Sequence, residues 1–226
     1  MYDLDLISSM VKASLKNAYN LLEEAKILAD NNKIERAFFL TVIALEEMGK
    51  ATMYNNSVQY GDDNNLFRNK FNKFKTKHPF KIFQSIILSN HLKMNLNFKF
   101  TDTEILAKDI DALKMSSLYV DLTNGKVISP DIKIKAEDFQ KVSEFASKLI
   151  SHHLYYLENG FYEVEFYRHV KDFYSDNEIQ DLQKRLFKGE LLPEKYLSNL
   201  INKAILKEDN IFAQFLTLSL YLTLNN

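Results

Sequence analysis

Apolar residues recur at helical spacing through residues 5–30, with charged residues at the positions between them. The apolar positions are Leu15, Ala18, Leu21, Leu22, Ala25, Leu28 and Ala29. The polar stretch "DNNK" at 30–33 predicts a turn, and the apolar run after it predicts a second helix over 34–54. Because the turn is short, we expect the two helices to pack as an antiparallel pair.

The same pattern predicts further helices, separated by polar stretches. After a polar loop at 55–65, helices are expected at 80–92, 101–122 and 135–159. Their predicted boundary residues are Pro79 in a first turn, Thr101 or Thr103 as an N-cap, and Gly160 as a stop. The turn around Asn124-Gly125, within 123–130, either joins a short hairpin or simply ends the preceding helix.

After residue 160 the chain becomes richer in aromatic and charged residues. We therefore interpret residues 1–160 as a helical bundle and residues 161–226 as a C-terminal helical extension packed on it. The most apolar stretch, "IFAQFLTLSLYLTL" at 211–224, has 14 residues, fewer than the roughly 20 needed to span a bilayer. We expect a buried helix there and no membrane partner.

Composition favours an all-α fold in a reducing compartment. The chain has only 5 Gly and 3 Pro in 226 residues, whereas all-β folds need many turns. It has no cysteine, which excludes disulfides, thiolate metal sites and a cysteine nucleophile. The N-terminus "MYDLDLISSM" lacks the basic-then-apolar order of a signal peptide, so we expect a cytoplasmic location.

The net charge of −1 hides a strong asymmetry. Residues 64–101 contain no Asp or Glu and carry a charge of +8, while the rest of the chain holds 21 Lys and Arg against 30 Asp and Glu. The cations are Arg68, Lys70, Lys73, Lys75, Lys77, Lys81, Lys93 and Lys99. Such a basic segment often contacts phosphate, which makes RNA a candidate partner. The alternative is a solvated connector rich in lysine.

A charged stripe runs along the second predicted helix. Glu46, Glu47 and Lys50 lie within one turn of each other, with Lys50 between the two carboxylates. This stripe is either a wet face carrying an ordinary surface ion pair or an inward-facing polar network. Phe39 and Ile43 share it, which favours the inward-facing network, because a wet face rarely mixes large apolar groups with charges.

Three separated motifs stand out within residues 10–150. The first lies in 15–51 and has Asn17-Ala18, Arg36-Ala37 and Glu-Glu-x-Gly-Lys ending at Lys50. The others are "KHPFK" at 77–81 and "LKMSSLYVDLTNGKVISP" at 113–130, which contains Tyr119 and Asp121. Together these motifs resemble the AbiV family of bacterial abortive-infection proteins. The resemblance implies a HEPN-like antiparallel helical bundle, a fold in which many members are RNases of toxin and antiviral systems. It also implies a homodimer with sites at a two-fold interface, which the 12 Tyr and 17 Phe weakly support.

The HEPN-like resemblance directs attention to a histidine. The usual mark of these RNases is an arginine followed four to six residues later by histidine, but here Lys73 precedes His78, in "KFKTKH". RNA cleavage through its own 2′-OH needs a proton acceptor and a cation beside the phosphate, and no metal or cofactor. His78 would accept the proton, and Lys73, Lys77 and Lys81 would hold phosphate.

Several site assignments remain open at the level of sequence. Glu46 or Glu47 could orient the His78 imidazole or position a lysine. His78 could instead be a solvated surface histidine. Tyr119 and Asp121, two residues apart, cannot share one helix face, and their alternative roles are a core tyrosine and a polar group at a helix end.

Two functions follow from these residues and the resemblance. The first is an anti-phage effector that arrests translation in infected cells as a metal-independent ribonuclease, released by a phage-encoded activator. The second is a non-catalytic interaction module that binds a phage protein or the translation machinery, which the missing arginine favours.

Overall fold

Two long antiparallel helices form the base of the fold in the computed structural model, which describes residues 3–58, 76–91 and 100–174. Helix α1 spans Leu4–Asp30 and helix α2 spans Ile34–Ser57. The predicted turn between them contains Asn32, whose φ of 57° allows the sharp reversal. The antiparallel pair expected from the sequence is therefore confirmed, and α2 continues three residues beyond its predicted end.

Helix α2 is central because it contributes to two apolar cores. One core lies between α1, α2 and two later helices, Ala136–Glu158 and Val164–Tyr174, and includes Leu15, Leu45 and Leu149. The other includes Phe38 and Val42 of α2 and lies against α3, His78–His91, and α4, Phe100–Ser116. A helix buried on two sides has little surface left for a wet face, so even a charged residue such as Glu46 is buried.

A β-hairpin follows α4. Strands β1, Asp121–Thr123, and β2, Lys126–Ile128, pair antiparallel through a turn in which Asn124 and Gly125 have φ of 52° and 74°. The hairpin alternative is thus the correct one. The helix predicted to 122 ends instead at Ser116, because Asn124-Gly125 closes a tight hairpin whose first strand begins at Asp121.

Three further helices complete the described chain. They are α5, Pro130–Lys133, α6, Ala136–Glu158, and α7, Val164–Tyr174. Gly160, with φ of 79°, follows the end of α6 as the sequence predicted. The all-α fold class is confirmed, with the short hairpin as its only strand pair in the described ranges.

The start of the C-terminal extension packs on the bundle. Tyr162, Phe166, Tyr167 and Val170 are buried in the same core as α1 and α2, and Ser8 Oγ donates a 2.6 Å hydrogen bond to the Tyr162 carbonyl. Residues 175–226, including the apolar stretch 211–224, lie outside the described residues, so the division at residue 160 stays a prediction. No helix within 3–58, 76–91 and 100–174 is long and apolar enough to cross a membrane.

Candidate functional site

A glycine allows α3 to lie directly against α2. A Cβ built on Gly49 would sit 1.9 Å from the Lys81 carbonyl oxygen and 2.6 Å from its carbonyl carbon, so only glycine fits this contact. One turn away, Ser85 Oγ of α3 donates a 2.6 Å hydrogen bond to the Leu45 carbonyl of α2. The close approach brings the first turn of α3 within reach of side chains on α2.

Glu46 points into the protein and meets both neighbouring helices. It is 4% exposed, and its Oε2 lies 2.5 Å from Nδ1 of His78, the first residue of α3. Its Oε1 accepts a 2.6 Å hydrogen bond from Nζ of Lys114 on α4. The inward orientation expected for Glu46 is therefore confirmed, and the site joins three helices.

Lys114 is a site residue that the sequence reading missed. It is 3% exposed, and its Nζ donates 2.6 Å hydrogen bonds to Glu46 and to Asp111 one turn earlier on α4. Burial opposes its charge, but the hydrogen bonds that Lys114 donates to Asp111 and Glu46, with the attraction of their charges, outweigh burial and raise the pKa of Lys114 above its usual value. Lys114 is therefore a buried, charged ammonium.

A second ion pair lies beside this network on α2. Lys50 Nζ donates to both oxygens of Glu47, at 2.6 and 2.7 Å, and both side chains are half-buried. The expected position of Lys50 between two carboxylates is not what the structure shows, because Lys114 from α4 occupies the Glu46 side. Phe39 and Ile43 of the same stripe are half-buried, which is consistent with a helix that is covered on two sides.

Comparison with family models matches residues 6–151 to HEPN_AbiV, described as AbiV. This match covers more than half of the 226 residues. The chain belongs to the AbiV family. Comparison with curated proteins and with solved structures gave no match. The resemblance on 10–150 is thus confirmed, and with it a HEPN-type helical domain associated with abortive infection.

The AbiV match does not assign roles to residues, so each predicted site residue is placed by the structure alone. The side chain of His78 is 55% exposed, Lys77 beside it is exposed, and Lys81 is half-buried. Most of the predicted cations lie outside the described residues: Arg68, Lys70, Lys73, Lys75, Lys93 and Lys99. Of the predicted catalytic group, Glu46 and His78 are in contact, while Glu47 and Lys50 form their own pair.

The remaining AbiV motif residues lie on the surface. Asn17 on α1 and Arg36 on α2 are exposed. Tyr119 is 58% exposed and Asp121 begins strand β1, also exposed. The alternatives of a core tyrosine and a polar group at a helix end are therefore wrong, because Tyr119 is exposed and α4 ends at Ser116, before either residue.

Two histidines of α6 lie away from this site. His153 is buried, its Nδ1 is 2.5 Å from the hydroxyl of Tyr162, and burial, with a smaller contribution from His152, lowers the pKa of His153 to about 3. It borders a small cavity of about 20 Å³ between α1, α2 and α6. No group of three or more His, Asp or Glu able to hold a metal ion occurs in the described part of the chain.

Proposed function

We propose that this AbiV-family protein is an anti-phage effector that cleaves RNA without a metal ion and so arrests translation in infected cells. The observation that carries the proposal is the contact between buried Glu46 and exposed His78. A carboxylate behind an imidazole is the arrangement that orients a histidine for proton transfer. The AbiV match supports the defence role, and the basic segment 64–101 supports RNA as the substrate.

The contact supports Nε2 as the nitrogen of His78 that acts on the substrate. An ionised carboxylate only accepts hydrogen bonds, so with Glu46 ionised Nδ1 carries the hydrogen and donates it to Glu46. Nε2 then holds the lone pair, on a side chain that is 55% exposed. It takes the proton of a ribose 2′-OH as the 2′ oxygen bonds to the adjacent phosphorus. The bond from phosphorus to the 5′ oxygen breaks, that oxygen takes up a proton, and a 2′,3′-cyclic phosphate remains.

Lysines supply the positive charge that this reaction needs. Negative charge builds on the phosphoryl oxygens in the transition state, and a nearby ammonium stabilises it. Lys77 precedes His78 and Lys81 follows it by one turn, so both are candidates to contact the phosphate. Lys73 stands where related RNases carry arginine, and a lysine binds phosphate as a point charge without the two-pronged geometry of arginine.

The test is a cleavage assay on the purified full chain with a labelled RNA, in the presence of a chelator. We expect His78→Ala to cleave at least about 100-fold more slowly, with RNA affinity within about twofold, because only the proton acceptor is lost. His169→Ala on α7, another exposed histidine, is the matched control and should cleave like the wild type. Unchanged cleavage by His78→Ala would show that this residue is not the base.

The exposed apolar hairpin supports a second candidate, a non-catalytic module that binds a phage protein or the translation machinery. Leu122 and Val127 form a cross-strand pair and are 75% and 67% exposed, and Val120 beside them is also exposed. Exposed apolar patches of this kind are typical of protein-binding surfaces. If the pure protein cuts no RNA but loses phage protection in Leu122→Ser with Val127→Ser, this second function replaces the first.

A further inference from the structure

Four charged or titratable side chains form a continuous chain across the site. Asp111 and Lys114 of α4 are 2.6 Å apart, Lys114 and Glu46 of α2 are 2.6 Å apart, and Glu46 and His78 of α3 are 2.5 Å apart. The ends of the chain reach solvent, with 24% and 55% side-chain exposure for Asp111 and His78. The two middle side chains are only 4% and 5% exposed.

This arrangement has a consequence for the protonation of the imidazole. A buried carboxylate next to a histidine stabilises the imidazolium, and an imidazolium cannot accept a proton. Lys114 contacts the other oxygen of the same carboxylate, so its charge offsets the attraction that Glu46 exerts on a proton at His78. Asp111 acts in the opposite direction, because it partly neutralises Lys114.

We propose that Lys114 is a positioning residue for His78, which holds the Glu46 carboxylate in place and balances its charge so that the imidazole stays neutral and ready to accept a proton. This inference rests on the proposed function, in which His78 is the proton acceptor. It gives the buried lysine on α4 a role: without its charge, the Glu46 carboxylate would favour the imidazolium form of His78 more strongly.

The other charged groups near this chain come from α2, from α3 and from the residue just before α3. On α2, Glu47 and Lys50 form their own ion pair, so their charges largely cancel. Lys81 lies on α3, three positions after His78, and Lys77 directly precedes the helix; both favour the neutral imidazole. None of the variants below changes these four residues, so their contribution is the same in every protein compared.

The experiment is an NMR pH titration of the full chain labelled with ¹⁵N-histidine, in which the His78 signal is assigned by its loss in His78→Gln. In Lys114→Met we expect the midpoint of the His78 titration to move to higher pH by about one pH unit, because a compensating positive charge is lost. In Asp111→Asn we expect it to move to lower pH, because Lys114 is then less neutralised. Lys114→Arg keeps the charge and should restore the wild-type midpoint.

The opposite shifts of the His78 midpoint in Lys114→Met and Asp111→Asn separate this role from a purely structural one. If Lys114 and Asp111 only brace α4, both variants loosen Glu46 and move the His78 midpoint the same way, or not at all, and either result overturns the proposal. If Lys114→Met does not fold, Asp111→Asn decides alone: a lower midpoint supports the proposal, and an unchanged or higher one overturns it. The titration needs no cleavage, so an inactive wild type would refute the proposed function without deciding this measurement.

Discussion

Replacing Gly49 with alanine tests whether the close approach of α3 to α2 builds the site. The new Cβ would lie 1.9 Å from the Lys81 carbonyl oxygen and 3.0 Å from its Cα. Real Cβ atoms essentially never come within 3.0 Å of heavy atoms to which they are not bonded through the neighbouring chain. The obstacle is backbone, which cannot rotate aside as a side chain does, so the first turns of α3 must move away from α2 by about 1 Å.

The expected change in the free energy of unfolding of Gly49→Ala has three contributions, two unfavourable and one favourable. Forcing extra volume into a packed contact costs about 1–3 kcal/mol. The displacement also strains the hydrogen bond from Ser85 to the Leu45 carbonyl, worth about 1 kcal/mol. Alanine regains roughly 1 kcal/mol because it favours the helix over glycine. We therefore expect Gly49→Ala to lower the free energy of unfolding by about 2 kcal/mol.

Urea unfolding followed by circular dichroism measures this change, and the cleavage assay measures its effect on the site. A shift of about 1 Å between His78 and Glu46 should slow cleavage by as much as about 100-fold. Gly125→Ala is the matched control: its φ of 74° strains any side chain, but no atom lies within 4 Å of the added Cβ. It should lose about 1 kcal/mol and keep full cleavage. A Gly49→Ala protein as stable and active as the wild type would refute the packing explanation.

Four further outcomes are expected. Glu46→Gln keeps the size of the side chain but lacks the carboxylate charge that orients the His78 imidazole. Cleavage should therefore fall 10-fold or more, while RNA affinity in a filter-binding assay is unchanged. Equal cleavage rates would contradict the orienting role. Burial lowers the pKa of His153 to about 3, so below pH 6.5 the unfolded chain binds a proton at this residue that the folded chain does not bind. The free energy of unfolding should therefore fall by roughly 1 kcal/mol per pH unit as the pH drops from 6.5 to about 3. Urea midpoints measure this pH dependence, and His153→Gln should make it weaker. Light scattering at micromolar concentration should give twice the 26.4 kDa of one chain, and a monomeric mass would count against the homodimer. The double variant Glu46→Leu with Lys114→Met should unfold at the same or a higher urea concentration than the wild type, yet be inactive. Lys114→Met alone should lower the free energy of unfolding by about 3–5 kcal/mol, because it leaves the Glu46 charge buried without its partner.

The helices were largely predictable because their apolar spacing is regular over many turns. Helices α1 and α2 were predicted within a few residues of their observed bounds, and Gly160 marked the end of α6. The end of α4 was predicted six residues too late. Apolar residues continue through Leu118 and Val120, but both are exposed on the approach to the hairpin, and periodicity alone cannot show where apolar residues leave a core.

Half of the candidate site was predictable and half was not. Phe39 and Ile43 within a charged stripe correctly indicated that Glu46 faces inward. The partner lysine could not be identified from α2, because spacing within one helix says nothing about which other helix lies opposite. A signal did exist on α4: Lys114 falls on the same stripe as buried Ala107 and Ile110, and a lysine on an apolar stripe needs a buried partner.

The energetics of the buried pair bear on whether the network is scaffold or site. Taking Glu46 and Lys114 out of water costs several kcal/mol per charge, and in proteins an apolar pair of similar size often serves a core as well as a buried ion pair or better. Stability alone therefore does not explain why charges occupy this position. The carboxylate does what an apolar residue cannot, because it reaches an imidazole on the neighbouring helix and can hydrogen-bond to it. The lysine donates a hydrogen bond to the other oxygen of that carboxylate, so all three helices must be packed before Glu46 contacts both His78 and Lys114, and this network exists only in the folded chain.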